Sequence, residues 1–206
     1  MGKRILVIGD SMSLAHVGRA MVLARRLARE GAEVVFATGR AHQSLARREG
    51  FDAREVYCVP PERAIAAIRR GSHIFDRNTL KRYVDSDLEL LRRERPDLVI
   101  GDMRLSLNIS AELARVEHWS ILSGYLTRYY SAPQSPPRTF PLMRVLGKRI
   151  SRALFPALKD LTLRYYGANF LRYRRELELA PVRDIFDVIA SPHRNLIADL
   201  PSFIPC

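Results

Sequence analysis

Apolar runs alternate with segments of helical periodicity along the whole chain. Residues 4–8 (Arg-Ile-Leu-Val-Ile) are nearly all apolar, which is typical of a strand buried on both faces of a parallel sheet. Apolar residues then recur at helical spacing over 17–28, and Gly31 follows as a signal for the end of a helix. Residues 33–38 (Glu-Val-Val-Phe-Ala-Thr) predict a second strand. Together these segments predict a β-α-β unit with a right-handed crossover.

The same alternation continues to the C-terminal end. We expect helices at 41–49, 62–70, 78–94 and 107–115, and strands at 53–59, 96–102, 119–122 and 195–200. Residues 131–141 contain four prolines and predict a loop, and the basic segments 142–155 and 158–179 predict two further helices. This order of elements predicts an α/β fold with an open, mainly parallel, Rossmann-like sheet flanked by helices.

The composition is that of one domain with a sizeable core. The chain has 206 residues, of which 47% are hydrophobic. No apolar run approaches the ~20 residues of a membrane span, and the apolar stretch at the N-terminus is too short for a signal peptide. Cys58 and Cys206 are the only cysteines, which excludes a disulfide framework and a cysteine-rich zinc site. We therefore expect a single domain over 1–206, in the cytoplasm and without a metal site.

Positive charge is the unusual feature of the composition. There are 34 Lys and Arg against 22 Asp and Glu, a net charge of +12, and such a balance attracts anionic partners. The basic residues are dense in a helical arm at about 138–179, where apolar and aromatic residues lie between them. These helices either cover a cleft with their arginines in solvent, or rest on an anionic membrane through 138–175. Because no nucleic-acid-binding motif accompanies the charge, we expect no nucleic-acid partner.

The ligand site of an open α/β sheet lies beyond the carboxyl ends of its strands. The loop 9–16 follows the first predicted strand, and Asp102 ends the fourth. Their position at this edge makes Ser11, Ser13 and Arg104 candidates for lining the site. Dinucleotide binding is excluded here, because the loop lacks the G-x-G-x-x-G spacing that lets the backbone approach a pyrophosphate.

One alternative makes Ser11 a nucleophile. The segment 8–11 (Ile-Gly-Asp-Ser) resembles the opening block of the GDS(L) or SGNH hydrolases, which are small α/β esterases. Such a serine needs a base, which that family supplies in an Asp-x-x-His motif near its C-terminus. Asp187 and His193 are the nearest candidates and are too far apart in sequence for that motif. A serine esterase is therefore the weakest of the functions left open.

The other alternative makes His16 a general base. It lies at the start of the first predicted helix, where the helix dipole favours a neutral imidazole that can take a proton from an alcohol. A base of this kind needs a partner on its other ring nitrogen, and Asp102 ends a neighbouring strand at the same edge. We therefore expect a His16–Asp102 dyad, although a helix-start histidine and a strand-end aspartate also occur as simple capping residues.

Several segments resemble the N-terminal domain of the UDP-glycosyltransferases. Residues 3–38, with Ala-His-Val at 15–17 and Gly-Ala-Glu-Val-Val-Phe-Ala-Thr at 31–38, are similar to its Gly-His-Val-Asn-Pro segment and to the strand that follows. Residues 96–102 and 110–114 look like its fourth strand and the next helix, and 196–201 like the end of the domain. Two departures lie next to His16: Gly18-Arg19 stand where Asn-Pro is usual, and Leu14-Ala15 replace a glycine-rich approach.

The resemblance implies the N-terminal, acceptor-binding half of an inverting, metal-independent GT-B glycosyltransferase. In that family the residue matching His16 deprotonates the acceptor hydroxyl, and the one matching Asp102 orients it.

A nucleotide sugar, here expected to be a UDP-sugar, serves as co-substrate without another cofactor. The donor domain is absent from these 206 residues, so we expect a C-terminal donor-binding domain or partner chain. The acceptor is expected to be a small or lipid-linked molecule, with any membrane contact at the inner membrane face. A non-catalytic or membrane-docking subunit of a split glycosyltransferase is the main alternative.

Overall fold

Six parallel strands form one sheet in the computed structural model, which describes residues 3–130 and 141–200. The strand order is β3-β2-β1-β4-β5-β6. The bounds are β1 Arg4–Gly9, β2 Glu33–Thr38, β3 Arg54–Glu55, β4 Leu98–Asp102, β5 Glu117–Leu122 and β6 Arg194–Ile197. The predicted α/β class with an open, parallel, Rossmann-like sheet is confirmed.

Helices flank the sheet. Their bounds are α1 Leu14–Arg29, α2 Gln43–Arg48, α3 Pro61–Arg70, α4 Arg77–Glu94, α5 Leu107–Ala114, α6 Pro141–Glu176 and α7 Ile185–Ile189. Short 3₁₀ turns occupy Arg40–His42 and Gly124–Leu126. None of the helices within the described ranges is both long and apolar enough to cross a bilayer.

The central strands are buried on both faces by separate clusters of apolar residues. In β1, Ile5 and Val7 contact the cluster that includes α1, whereas Leu6 and Ile8 contact the cluster that includes α4 and α5. A third cluster joins α3, α4, α6 and α7. Burial on both faces explains why the first strand is a continuous apolar run and not an alternating one.

Strand β3 is much shorter than the predicted 53–59. It pairs with β2 only through Arg54 and Glu55. Beyond them the backbone turns to side chains of α4: the amide of Tyr57 donates to Ser86 Oγ at 2.9 Å, and that of Val59 to Tyr83 Oη at 2.8 Å. These side-chain acceptors replace the strand partner.

The C-terminal half differs most from prediction. The expected break between 155 and 158 is wrong, because the helix is continuous there. The interruption lies instead at Gly147, whose φ of 71° and ψ of 171° are accessible mainly to glycine. Helix α7 was not predicted; the carboxylate of Asp184 caps it by accepting from Phe186 N and Asp187 N. Strand β6 begins and ends earlier than 195–200, and most of the predicted loop 131–141 lies outside the described residues.

Candidate active site

The candidate site lies where the strand order reverses, between β1 and β4. Gly9 at the end of β1 pairs with Asp102 at the end of β4. The next amide, of Asp10, donates to the carbonyl oxygen of Asp102 at 3.2 Å. Helix α1 begins just beyond, with Ser13 as N-cap, its Oγ accepting from Ala15 N at 3.3 Å. This crevice at the switch point is where open α/β sheets bind ligands.

His16 and Asp102 are in contact. The Nδ1 atom of His16 lies 3.1 Å from Oδ1 of Asp102. The aspartate is fully buried, whereas the histidine side chain is 21% exposed, so the imidazole can be reached from the crevice while its partner is shielded. The predicted contact is therefore present. The catalytic roles of the two residues stay a prediction.

Arg19, one turn after His16 on α1, also binds this carboxylate, and sequence reasoning assigned it no role in the dyad. Its Nε donates to Asp102 Oδ2 at 2.9 Å, and its Nη2 to Oδ1 at 2.7 Å. Its Nη1 donates to Ser123 Oγ, beyond the end of β5, at 2.9 Å. Nη2 also lies 3.2 Å from His16 Nδ1. The i, i+3 spacing on one helix was the signal in the sequence that could have identified it.

Arg104 is part of a buried charge network and does not line an entrance. Its side chain is 0% exposed, and its Nε and Nη2 donate to Asp87 Oδ1 at 2.9 and 2.7 Å. Its Nη1 lies 3.2 Å from Asp10 Oδ2 and 2.7 Å from the carbonyl oxygen of Tyr57. The guanidinium also stacks over the ring of Tyr83 at 4.2 Å. The prediction that Arg104 lines the acceptor entrance is therefore wrong, because every direction around it is occupied by protein.

The network of Arg104, Asp87 and Asp10 lies next to the dyad and holds the adjoining loops together. Asp87 on α4 accepts from Ser106 Oγ at 2.6 Å and Ser110 Oγ at 3.0 Å as well as from Arg104, so its buried charge is fully compensated. Asp10 contacts only one guanidinium nitrogen. Burial raises the pKa of Asp10, and the nearby Arg104 only partly opposes the rise. The network thereby joins α4 to the loops that follow β1 and β4.

Ser11 is buried as well. It is 1% exposed, and its Oγ lies 3.4 Å from His42 Nδ1. The prediction that Ser11 lines the entrance is wrong for the same reason as for Arg104. Ser13 is partly exposed, and its predicted contact with a substrate stays a prediction.

Cys58 is half-buried in the same region. It lies against Ser11 N at 3.5 Å and Arg104 Nη1 at 3.3 Å. Burial raises the pKa of its thiol to about 12. The thiol is therefore uncharged at neutral pH and is not poised to act as a nucleophile.

Two cavities lie away from the dyad. One, of about 860 Å³, opens at the opposite edge of the sheet between α5, the start of β5 and the segment before β6. The other, of about 360 Å³, lies between α3, the segment after it and α6, where the rings of His73 and Tyr165 stack with centroids 3.9 Å apart. Neither cavity is lined by His16 or Asp102. Among the described ranges, no group of three or more His, Cys, Asp or Glu could hold a metal ion.

The chain is similar in sequence to mycobacterial glycosyltransferases. It is 32% identical over 209 residues to the "Inactive PGL/p-HBAD biosynthesis glycosyltransferase" of Mycobacterium bovis, covering 98% of this chain and 56% of that protein. It is 32% identical to the "PGL/p-HBAD biosynthesis glycosyltransferase" of Mycobacterium tuberculosis, covering 47% of it. It is 30% identical to a "PGL/p-HBAD biosynthesis rhamnosyltransferase" of M. bovis, covering 45%. The chain thus spans about half the length of the curated relatives it matches, and no family model matches it.

Solved structures give the same fold. SsfS6, a glycosyltransferase of Streptomyces sp. SF2575, matches 98% of this chain and 52% of its own with a TM-score of 0.57 and 18% identity. The spinosyn forosaminyltransferase SpnP matches 100% of this chain and 48% of its own with a TM-score of 0.58 and 19% identity. At these identities the match bears on the fold alone. By sequence the chain is similar to these glycosyltransferases, its fold is that of the solved GT-B glycosyltransferases, and it corresponds to the N-terminal half of its relatives.

Proposed function

We propose that this chain is the acceptor-binding half of an inverting glycosyltransferase that uses His16 as general base. The observation that carries the proposal is the 3.1 Å contact between His16 Nδ1 and the buried Asp102, at the point of the sheet where ligands bind. In the tautomer whose Nδ1 proton is donated to Asp102, the lone pair of Nε2 is free to accept the proton of an acceptor hydroxyl. The oxygen then attacks the anomeric carbon of a nucleotide sugar opposite the leaving diphosphate, which inverts its configuration.

The donor is proposed to bind to a second, C-terminal half, which is either a continuation of this polypeptide or a partner chain. The share of the relatives that the chain covers supports this arrangement, since roughly half of each relative lies outside the match. We propose a UDP-sugar or another nucleotide sugar as co-substrate, and no further cofactor. The intact mass of the protein made from its native gene distinguishes a continuous enzyme, at about twice the mass of this half, from a split one of 23.5 kDa.

The test is a transfer assay in the protein that contains both halves. His16→Ala is expected to lower kcat by about 10²–10⁴-fold, which is the usual contribution of a positioned general base. His193→Ala is the matched control, because His193 lies before β6 at the opposite edge of the sheet and should leave transfer unchanged. NMR of the product should show the anomeric configuration opposite to that of the donor. Full activity of His16→Ala would refute the catalytic role and favour a non-catalytic subunit.

The serine esterase alternative loses its support. Ser11 is buried, while a nucleophile must be reachable by its substrate. Asp187 and His193, the candidate partners, line the cavity at the opposite edge of the sheet. The histidine that does lie near Ser11 is His42, whose Nδ1 is 3.4 Å from Ser11 Oγ, but the buried serine offers a substrate no access.

A second proposal concerns an anionic membrane surface. On α6, Ile150, Leu154, Leu161 and Tyr165 are exposed, and at 3.6 residues per turn they lie within about 60° of one another around the helix. A stripe of this kind on an exposed helix is unusual unless another surface covers it.

The charge of helix α6 indicates what kind of surface would cover the apolar stripe. Arg149, Arg164 and Arg172 of the same helix are exposed, and the whole chain carries +12. A basic helix with an apolar stripe binds best to bilayers that contain anionic lipid. Flotation with phosphatidylglycerol vesicles should recover the protein, whereas phosphatidylcholine vesicles should not. Leu161→Glu should reduce the recovery, while Val22→Glu, an equally exposed position on α1, should not. Equal recovery with both lipids, or with both variants, would exclude this contact.

A further inference from the structure

The guanidinium of Arg19 and the carboxylate of Asp102 compete for one nitrogen of His16. His16 Nδ1 lies 3.1 Å from Asp102 Oδ1 and 3.2 Å from Arg19 Nη2. An Arg nitrogen can only donate, and a carboxylate oxygen can only accept. Nδ1 must therefore either carry a proton and donate to Asp102, or present a lone pair and accept from Arg19. The two contacts cannot both be hydrogen bonds at the same time.

The two arrangements correspond to the two tautomers of a neutral imidazole. With the proton on Nδ1, Nε2 has a free lone pair and can act as a base. With the lone pair on Nδ1, the proton lies on Nε2, which can then donate but cannot accept the proton of an acceptor. The partner of Nδ1 thus decides whether the proposed base is competent.

Of the two possible partners of His16 Nδ1, Arg19 is the one that the geometry favours. Its Nε and Nη2 bind both oxygens of Asp102 in the bidentate geometry that makes such pairs strong, at 2.9 and 2.7 Å. This pairing neutralises the carboxylate and so weakens its attraction for a proton on Nδ1. A hydrogen on Nδ1 would also face the donor hydrogens of Nη2 across 3.2 Å. Ser123 Oγ holds the third nitrogen at 2.9 Å, so the guanidinium is fixed in this orientation.

We propose that Arg19 is a positioning residue that holds His16 as the Nε2–H tautomer, so that the dyad of this chain rests in a form unable to accept a proton. This inference rests on the proposed function, since it concerns the proton that the base must take. It also gives a meaning to the Gly18-Arg19 departure from the Asn-Pro of the resembling family. The side chain of Arg19 is 26% exposed, so the contact lies close enough to the crevice for a bound ligand to alter it.

The test measures the tautomer directly. Two-bond ¹H–¹⁵N correlation spectra of the ¹⁵N-histidine-labelled chain distinguish protonated from unprotonated ring nitrogens, and His16→Gln assigns the signal of His16. In the wild type we expect the proton on Nε2. In Arg19→Met we expect it to move to Nδ1, because Asp102 becomes the only partner of that atom.

The control removes a positive charge from the same helix without touching the dyad. Arg26 pairs with Glu30 on the exposed face of α1, and Arg26→Met should leave the wild-type pattern intact. A proton on Nδ1 already in the wild type would overturn the inference. An unchanged tautomer in Arg19→Met, or the same change in Arg26→Met, would also overturn it. Amide ¹H–¹⁵N spectra of each variant verify that the fold is kept.

The result of the tautomer test can be distinguished from the result of the test of the proposed function. If His16→Ala leaves transfer intact in the two-half enzyme, the catalytic role fails, while the tautomer spectra still decide what Arg19 does to the ring. If the tautomer does not depend on Arg19 but His16→Ala abolishes transfer, the base is retained and only the control by Arg19 is rejected.

Discussion

Acidification should destabilise the fold through one histidine that is far from the candidate site. His118 in β5 is 3% exposed, and burial, followed by the nearby His193, lowers its pKa from 6.5 to about 3. Its Nε2 lies 3.2 Å from Ser120 Oγ, and its Nδ1 has no hydrogen-bond partner among the described residues. A proton can therefore be added to this ring only at the expense of the folded state.

The direction and the size of this effect on the free energy of unfolding follow from the linkage between proton binding and folding. Between pH of about 3 and 6.5 the folded state binds fewer protons at His118 than the unfolded state, so the free energy of unfolding rises with pH. The contribution of neutral His118 to stability is complete above pH 6.5 and is lost as the pH falls. At a pH of about 4.5, two units below the unfolded pKa, the loss is about 2.7 kcal/mol at 1.36 kcal/mol per unit. That is a large part of the ~5–15 kcal/mol that stabilises a typical domain.

Urea unfolding of the wild type and of His118→Leu, followed by circular dichroism at a pH of about 7.5 and about 4.5, measures this loss. The leucine cannot titrate. It leaves Ser120 without its partner, at a cost that is the same at both pH values. Carboxylates that titrate in this range affect both proteins equally. The wild type should therefore lose about 2.7 kcal/mol more than the variant on acidification. An equal loss in the two proteins would show that His118 is not kept neutral by burial.

Four further predictions concern residues around the site. Arg104→Met should lower the free energy of unfolding by about 3–5 kcal/mol in urea, because it leaves buried carboxylates without their counter-charge; a loss below about 1 kcal/mol would contradict the network. Gly9→Ala should cost about 1–3 kcal/mol, because a Cβ would lie 2.8 Å from the backbone Cα of Val17, which cannot move aside. Gly18→Ala, in the interior of α1 with nothing within 4 Å, should stabilise by up to about 1 kcal/mol, and the reverse order of the two melting temperatures would refute the packing argument. In a Cys206→Ser background, Cys58 should react with a thiol reagent at a pH of about 8 much more slowly in the folded protein than after unfolding, since its pKa is raised to about 12; equally rapid reaction of the folded protein would contradict the raised pKa.

Local pattern was sufficient for the central strands. The bounds of β2 match the prediction, and β1 extends one residue further, because the middle of both strands is covered on both faces and is continuously apolar. Strand β3 was predicted too long, because its later residues bond to Ser86 and Tyr83 of α4. That partnership depends on tertiary packing, which is not visible in the residues of the strand. The helix break at Gly147 was likewise not predicted, since the sequence pattern placed the break between 155 and 158.

At the site, the positions of the strand ends predicted the contacts better than the types of residue did. The His16–Asp102 contact follows from two strand ends that share one edge of the sheet. Ser11 and Arg104 were misplaced; Arg104 was expected in the crevice because it follows the same edge. Its burial is decided by Asp87, which continues the apolar spacing of Leu80, Tyr83 and Val84 on α4. A carboxylate on the buried face of a helix requires a cation, and this was the available signal for an internal pairing.

The place of β1 in the sheet has a consequence for synthesis on the ribosome. One side of β1 pairs with β2, which is made soon after it, but the other side pairs with β4. Roughly 60 residues separate the end of β2 from the start of β4, which is about 3–12 s of translation at 5–20 residues per second. During this interval the apolar edge of Ile5–Ile8 has no strand beside it and is open to other nascent chains. Slow translation of the segment between β2 and β4 should therefore increase aggregation, whereas a chaperone that covers this edge should suppress it.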